Sequence, residues 1–201
     1  MSAHQDAGRR ATLSPAAYLG RRSLIVGEVN SGKTTLSGQI LEALLRAVAA
    51  PQVAVIDLAP TISPEVAARS GVPPGVGGRL SQTAVSGALY LTAPIAAPRL
   101  SARNPDQLHS AAQRNKQTIA GLFERFVASG REILVVNDLS LYLHSGSAAQ
   151  LCAWFDRATT VVANGYLGSA LGGGALSDRE QQQMRELISR VDQTIYLPER
   201  I

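Results

Sequence analysis

Apolar residues fall along this 201-residue chain in two alternating rhythms. Short, nearly unbroken apolar runs occupy residues 23–26, 52–57, 87–92, 132–138, 159–163 and 194–197. Runs of that length predict strands, and strands apolar on both sides belong in a sheet covered on both faces. Between them, apolar residues recur every three or four positions. Leu36, Ile40, Leu41, Leu44, Leu45 and Val48 predict a helix over about residues 33–49, ended by Pro51. Leu108, Ala112, Ile119, Leu122, Phe123 and Phe126 predict another over about 106–129, opened by Asn104-Pro105-Asp106 and stopped by Gly130. Shorter helices are expected at 147–157 and at about 178–190, where Ser177-Asp-Arg-Glu180 has the form of a capping box. Strands alternating with helices predict an α/β fold of three layers, a mostly parallel sheet with helices on both faces. Ligands of such sheets bind beyond the carboxyl ends of the strands.

The rhythm breaks in two places. From Ala59 to Ser86, prolines and glycines predict a long ordered loop with room for a short helix at 64–70. Loops of that length in compact domains often carry function. Ala93 to Leu100 is a second proline-braked segment, bearing Arg99, with Arg103 just beyond. Residues 1–20 read as a flexible lead-in and residues 21–201 as one domain. No internal repeat is visible.

The first strand and first helix are joined by Gly27-Glu28-Val29-Asn30-Ser31-Gly32-Lys33-Thr34-Thr35, which contains the spacing G-x-x-x-x-G-K-[ST] of a phosphate-binding loop, or P-loop. The chemistry accounts for the residue types. Backbone N–H groups must wrap a phosphate chain, so Gly27 and Gly32 keep side chains away and permit unusual dihedrals. The helix that follows points its amides and positive dipole end at the phosphates. Lys33 is expected at the β- and γ-phosphates and the Thr34 hydroxyl at Mg²⁺. Of nineteen basic residues only Lys33 and Lys116 are lysines, so the loop keeps a compact point charge in a chain that otherwise uses arginine.

A metal beside a nucleotide commonly uses a protein carboxylate. Asp57 and Asp138 each end an apolar strand, and either is a candidate; Asp138 follows Ile-Leu-Val-Val-Asn in the manner of a Walker B strand. Arg99 is a candidate for offsetting charge on a transferring phosphoryl group, and Arg79 a weaker one. The expected ligands are a nucleoside triphosphate, ATP by default with GTP open, and Mg²⁺. The Asn-Lys-x-Asp motif for guanine is absent, since Asn115-Lys116-Gln117-Thr118 lacks the Asp and falls in a predicted helix. Asn164, after the fifth strand, stands in a plausible base-contacting position.

A formal charge of +4 permits an anionic ligand without demanding nucleic acid. Cys152 is the single cysteine, so no intrachain disulfide can form, and a cytoplasmic location is expected. His4, His109 and His144 have no metal-ligand spacing. No apolar run reaches the length of a membrane span.

Gly27–Thr35 resembles the P-loop NTPases. The succession of that loop, Val-Ala-Val-Ile-Asp57, Gly87-Ala-Leu-Tyr-Leu-Thr-Ala-Pro and Leu-Val-Val-Asn-Asp138 is also similar to the RNA 5′-hydroxyl polynucleotide kinases. That resemblance implies that Lys33 and Thr34 hold ATP and Mg²⁺ and that Asp57 sits at the metal and the attacking hydroxyl. Three functions follow as expectations: nucleotide hydrolysis that drives a switch, transfer of the γ-phosphate to a hydroxyl, or binding without turnover.

Overall fold

A computed structural model describes residues 13–62, 78–81 and 85–198. The first twelve residues, and the helix expected at 64–70, lie outside the described residues.

Six strands form one sheet: β1 (Arg22–Gly27), β2 (Val53–Asp57), β3 (Leu89–Thr92), β4 (Ile133–Asn137), β5 (Thr160–Tyr166) and β6 (Gln193–Leu197). Their order is β3-β2-β4-β5-β1-β6, and every pairing is parallel. The expected α/β architecture is therefore observed. Alternate residues divide between the faces because strand side chains point up and down in turn. Ile25, Val53, Val55, Val135 and Val162 pack with Ile40, Leu41 and Leu44 of α1 (Lys33–Ala47). Leu24, Ile56, Leu134, Val136 and Ala163 pack on the other face.

Five further α-helices are described, α2 (Pro98–Ser101), α3 (Pro105–Ser129), α4 (Ser140–Leu143), α5 (Ala148–Phe155) and α6 (Ala175–Ile188), with single 3-10 turns at Pro15–Ala17 and Ala50–Gln52. Ile119, Phe123 and Phe126 of α3, Leu151 and Trp154 of α5, and Met184 and Leu187 of α6 fill that second cluster. Phe123 and Trp154 stack with ring centroids 4.5 Å apart. The α3 boundaries follow their signals. Asn104 caps the start by accepting from the Gln107 N–H at 2.9 Å, and Gly130 ends it at φ 64°.

Four expectations change. Residues 13–20 are not a loose lead-in: Tyr18 is buried against Ile25 and α1, and the Gly20 N–H donates to Thr160 Oγ1 at 2.9 Å. β5 continues through Asn164-Gly165-Tyr166 because those positions are buried and partnered. The capping box does not form. Gly174 precedes α6 without a side-chain cap, and Ser177 and Glu180 lie on the inward stripe with Met184 and Leu187. The short helices α2 and α4 each span one turn, too short for a periodic signal.

The chain leaves β1 over one face through α1 and leaves β5 over the other through α6. Their strand ends are adjacent, so a crevice opens between the two departures, at the carboxyl edge of the sheet.

Candidate active site

A cleft of about 890 Å³ occupies that edge. Val29, Asn30, Gly32, Lys33, Thr34 and Thr35 of the loop line it, as does Asp138. Gly27, Glu28 and Ser31 do not.

The loop is built from backbone constraints. Gly27 ends β1 with no space for a side chain, since a Cβ there would lie 2.8 Å from the Leu197 carbonyl and 2.9 Å from Ser31 Oγ. Gly32 opens α1 at φ 97°, in the left-handed region that a side chain disfavours. Asn30 also has positive φ, 60°, a conformation asparagine tolerates better than most residues. Lys33 Nζ folds back over the loop. It donates to the Gly27 carbonyl at 3.0 Å, to the Glu28 carbonyl, and to Ser31 Oγ at 3.4 Å. Burial lowers its proton affinity, while Asp138 and Glu28 act the other way.

Glu28 turns away from the cleft. Its carboxylate accepts the backbone N–H groups of Ser169 and of Ala170, the latter at 3.1 Å, and of Val29 at 3.2 Å. Burial would raise its pKa, but these hydrogen bonds, with a further one from Tyr166, outweigh it and leave the carboxyl below its ordinary range. A Cβ on Gly168 would overlap the Glu28 carboxyl. The Glu28 side chain thus fastens the loop to the turn after β5. A lowered pKa in the folded state means stability gained above the unfolded pKa and lost as pH falls through the folded one. Glu28→Gln is expected to cost about 1 kcal/mol at neutral pH, a modest figure because the site is partly exposed. Its thermal midpoint should change less than the wild type's as pH is lowered from neutrality to below the ordinary glutamate pKa. Equal acid sensitivity of the two proteins would remove this role.

The two candidate carboxylates are separated. β5 and β4 lie between β1 and β2, so the strand that follows α1 in sequence is not its neighbour in the sheet. Asp57 is fully buried and does not line the cleft. Its Oδ1 accepts from the Ala59 N–H at 3.1 Å and Asn137 Nδ2 at 2.8 Å; its Oδ2 accepts from the Leu80 N–H at 2.8 Å and the Tyr90 hydroxyl at 2.5 Å. Four donors saturate it. This placement differs from the expectation of a metal-side carboxylate.

Asn137, level with Asp57 in register, meets the loop instead, accepting the Thr34 hydroxyl proton at 3.2 Å. Asp138 follows at φ 60°, its Oδ1 accepting from Ser140 Oγ at 2.7 Å and its N–H donating to Asn164 Oδ1 at 2.9 Å. Burial raises the Asp138 pKa; the Ser140 hydrogen bond and the charges of Lys33 and His144 oppose the rise, and Glu180 adds to it. A non-glycine residue held at positive φ beside a cleft is strain of the kind concentrated at functional sites. Asn164, expected near a base, lines the cleft and donates to Ser37 Oγ at 2.8 Å and Asn137 Oδ1 at 2.9 Å.

The far wall carries Arg99, His144, Tyr166 and Glu180. Arg99 pairs with Glu180, whose side chain is 2% exposed, and lies 5.9 Å from the centroid of the Tyr166 ring. His144 Nε2 is 3.6 Å from the same Glu180 oxygen, and its buried Nδ1 has no partner among the described residues. Asn115 of α3 anchors the segment leading to Arg99 by exchanging hydrogen bonds of 3.0 Å with both backbone groups of Ala96. Arg103 is exposed and outside the cleft. Arg79 lines it, but its guanidinium donates to Ala59, Thr61 and Thr92. Cys152 is half-buried, and burial raises its thiol pKa, which disfavours a nucleophilic role.

Sequence reasoning missed Asn137, His144 and Glu180. Glu180 could have been found as a charged residue on the apolar stripe of α6. Asn137 had a weaker signal, a polar residue closing an apolar strand. Nothing local marks His144. Among the described residues no cluster of three or more His, Cys, Asp or Glu could hold a metal alone, and no helix is long and apolar enough to cross a membrane.

Neither a family model nor a curated protein sequence matches the chain. Among solved structures, the chain is similar to the flagellar accessory protein FlaH from Methanocaldococcus jannaschii, with 13% identity and a TM-score of 0.48, covering 89% of this chain and 71% of that one. It is also similar to the Pif1 helicase from Candida albicans, with 17% identity and a TM-score of 0.35, covering 90% of this chain but only 37% of the helicase. Likenesses this distant add nothing to the site, so its reading rests on the chain's own sheet order, loop and cleft.

Proposed function

We propose that this chain binds a nucleoside triphosphate, with ATP favoured, together with Mg²⁺, and hydrolyses it. The observation that carries the reading is the convergence of Lys33, Thr34 and Asp138 on one cleft at the carboxyl edge of a parallel sheet. Lys33 leaves the loop carbonyls for phosphate oxygens, which accept more strongly because they are charged. The Thr34 hydroxyl directs its proton to Asn137, so its lone pairs remain for a cation. That geometry fits Mg²⁺, which takes few protein ligands and many phosphate and water oxygens, and which supplies neutralisation of phosphate charge when bound. Asp138 takes the proton of the attacking water as general base; a pKa raised by burial suits it to that work. Arg99, its charge matched by Glu180, shapes the wall. Removing Glu180 alone would leave that guanidinium unpaired, at a cost of roughly 3–5 kcal/mol.

A second reading, transfer to a hydroxyl acceptor, is favoured by His144, which lines the same cleft and whose Nδ1 has no partner among the described residues. Both readings use the same loop. The test is to measure binding of ATP and GTP to the purified chain by calorimetry, then follow ADP and inorganic phosphate release with Mg²⁺ or with chelator. Mg²⁺-dependent release of equal ADP and phosphate is expected. ADP formed in excess of phosphate when a polyol is added would favour transfer, and no affinity for either nucleotide would overturn both readings.

A further inference from the structure

The orientation of the Asn137 amide is forced by its neighbours. Asp57 Oδ1 at 2.8 Å and the Gly78 carbonyl at 2.9 Å can only accept, so the amide nitrogen faces them. Oδ1 therefore faces the Thr34 hydroxyl at 3.2 Å and Asn164 Nδ2 at 2.9 Å. Asn164 cannot reverse either, because its own Oδ1 accepts the Asp138 N–H at 2.9 Å. With both sides of Asn137 fixed, Thr34 has one inward direction for its proton.

We infer that Asp57 is a positioning residue for the P-loop threonine, acting through Asn137. Its charge holds the Asn137 nitrogen, the Asn137 oxygen takes the Thr34 proton, and the Thr34 oxygen is left presenting lone pairs to the cleft. The inference rests on the proposed nucleotide and Mg²⁺ reading and assigns a second pair of residues to it. It also gives a physical reason for an amide at 137. A carboxylate there would lie about where the Asn137 nitrogen now sits, 2.8 Å from Asp57 Oδ1. Two buried carboxylates that close cannot both ionise. The pair therefore has room for one negative charge, and the three further donors on Asp57 place it at 57.

The test is the ratio of affinities for a non-hydrolysable ATP analogue with Mg²⁺ and with chelator, measured by calorimetry. Loss of a group that orients a metal ligand typically costs roughly 10–100-fold in metal-dependent affinity. Asp57→Asn should reduce the Mg²⁺ enhancement by that order and leave the chelator value near the wild type's. Asn137→Leu, which keeps three of the four donors on Asp57, should do the same and decides the matter if Asp57→Asn does not fold. The exchanged double variant, Asp57→Asn with Asn137→Asp, restores one carboxylate and one amide and should regain part of the enhancement. A purely structural role would lower both affinities together. Full Mg²⁺ enhancement in folded Asp57→Asn or Asn137→Leu overturns the inference, whereas a wild-type chain that binds no nucleotide overturns the underlying reading instead.

Discussion

Lys33→Ala is expected to lose triphosphate binding while keeping the fold. The ammonium is the one lysine charge in the cleft, and among the described residues its hydrogen bonds go to loop oxygens, which charged phosphate oxygens would replace in the proposed complex. A charge-assisted hydrogen bond lost at such a site costs about 1.5–3 kcal/mol, which is roughly 10–100-fold in affinity. The lost long-range attraction to a triphosphate adds to that. Stability of the ligand-free protein should change little. Burial lowers the Lys33 pKa, so folding disfavours its charged form, and removing the charge relieves that cost while the loop bonds are lost. Calorimetric titration in which the variant binds ATP and GTP as tightly as the wild type would sink the site assignment.

Asp138→Asn should retain nucleotide binding and lose turnover by about 10²–10⁴-fold, the usual contribution of a positioned general base. Asparagine suits the test because it tolerates the φ of 60° at this position and its oxygen can still accept from Ser140. Two pH signatures accompany the loss. Wild-type turnover should decline as pH falls through the raised Asp138 pKa, because the base must be ionised, and residual turnover of the variant should lack that limb. For stability the sign runs the other way. A carboxyl whose folded pKa lies above its unfolded value contributes stability below the unfolded pKa and loses it as pH rises through the folded one. Ionised Asp138 is therefore a cost near neutrality, and the variant should unfold at a temperature equal to or above the wild type's at pH 7. Undiminished Mg²⁺-dependent turnover in Asp138→Asn would remove the residue from the chemistry.

The two carboxylates illustrate what separates a sequence argument from a structural one. Asp57 and Asp138 look equivalent along the chain, each closing an apolar run. The resemblance to the polynucleotide kinases pointed to Asp57, in the strand that directly follows the P-loop helix. Strand order reverses the weight. The chain passes from β1 across two positions to β2 and only later fills the gap with β4 and β5. Adjacency in a sheet is a long-range property, since a crossover helix can carry the chain past one neighbour or several with the same local sequence.

The sequence by itself determined the elements and the loop. Periods of two and of three to four residues are local consequences of strand and helix geometry, so β1, α1, β2, α3 and β4 were legible within a residue or two. The P-loop was legible for the same reason: its glycines, lysine and threonine act within one turn of backbone, and their spacing is their mechanism. Only the tertiary structure decided what meets the loop from elsewhere. Glu28 reaches the turn at Ser169, Thr34 reaches Asn137, and Arg99 meets Glu180, across separations of 141, 103 and 81 residues. Such pairs leave no periodic trace, because each partner satisfies its local element equally well as a loop, strand-end or helix-face residue. Burial then sorts them. Asp57 is sealed under four donors, whereas Asp138 lines the cleft with a pKa raised by burial, the placement on which its proposed role in proton transfer rests. That sorting depends on which side of the sheet edge water can reach, a quantity the folded chain alone defines.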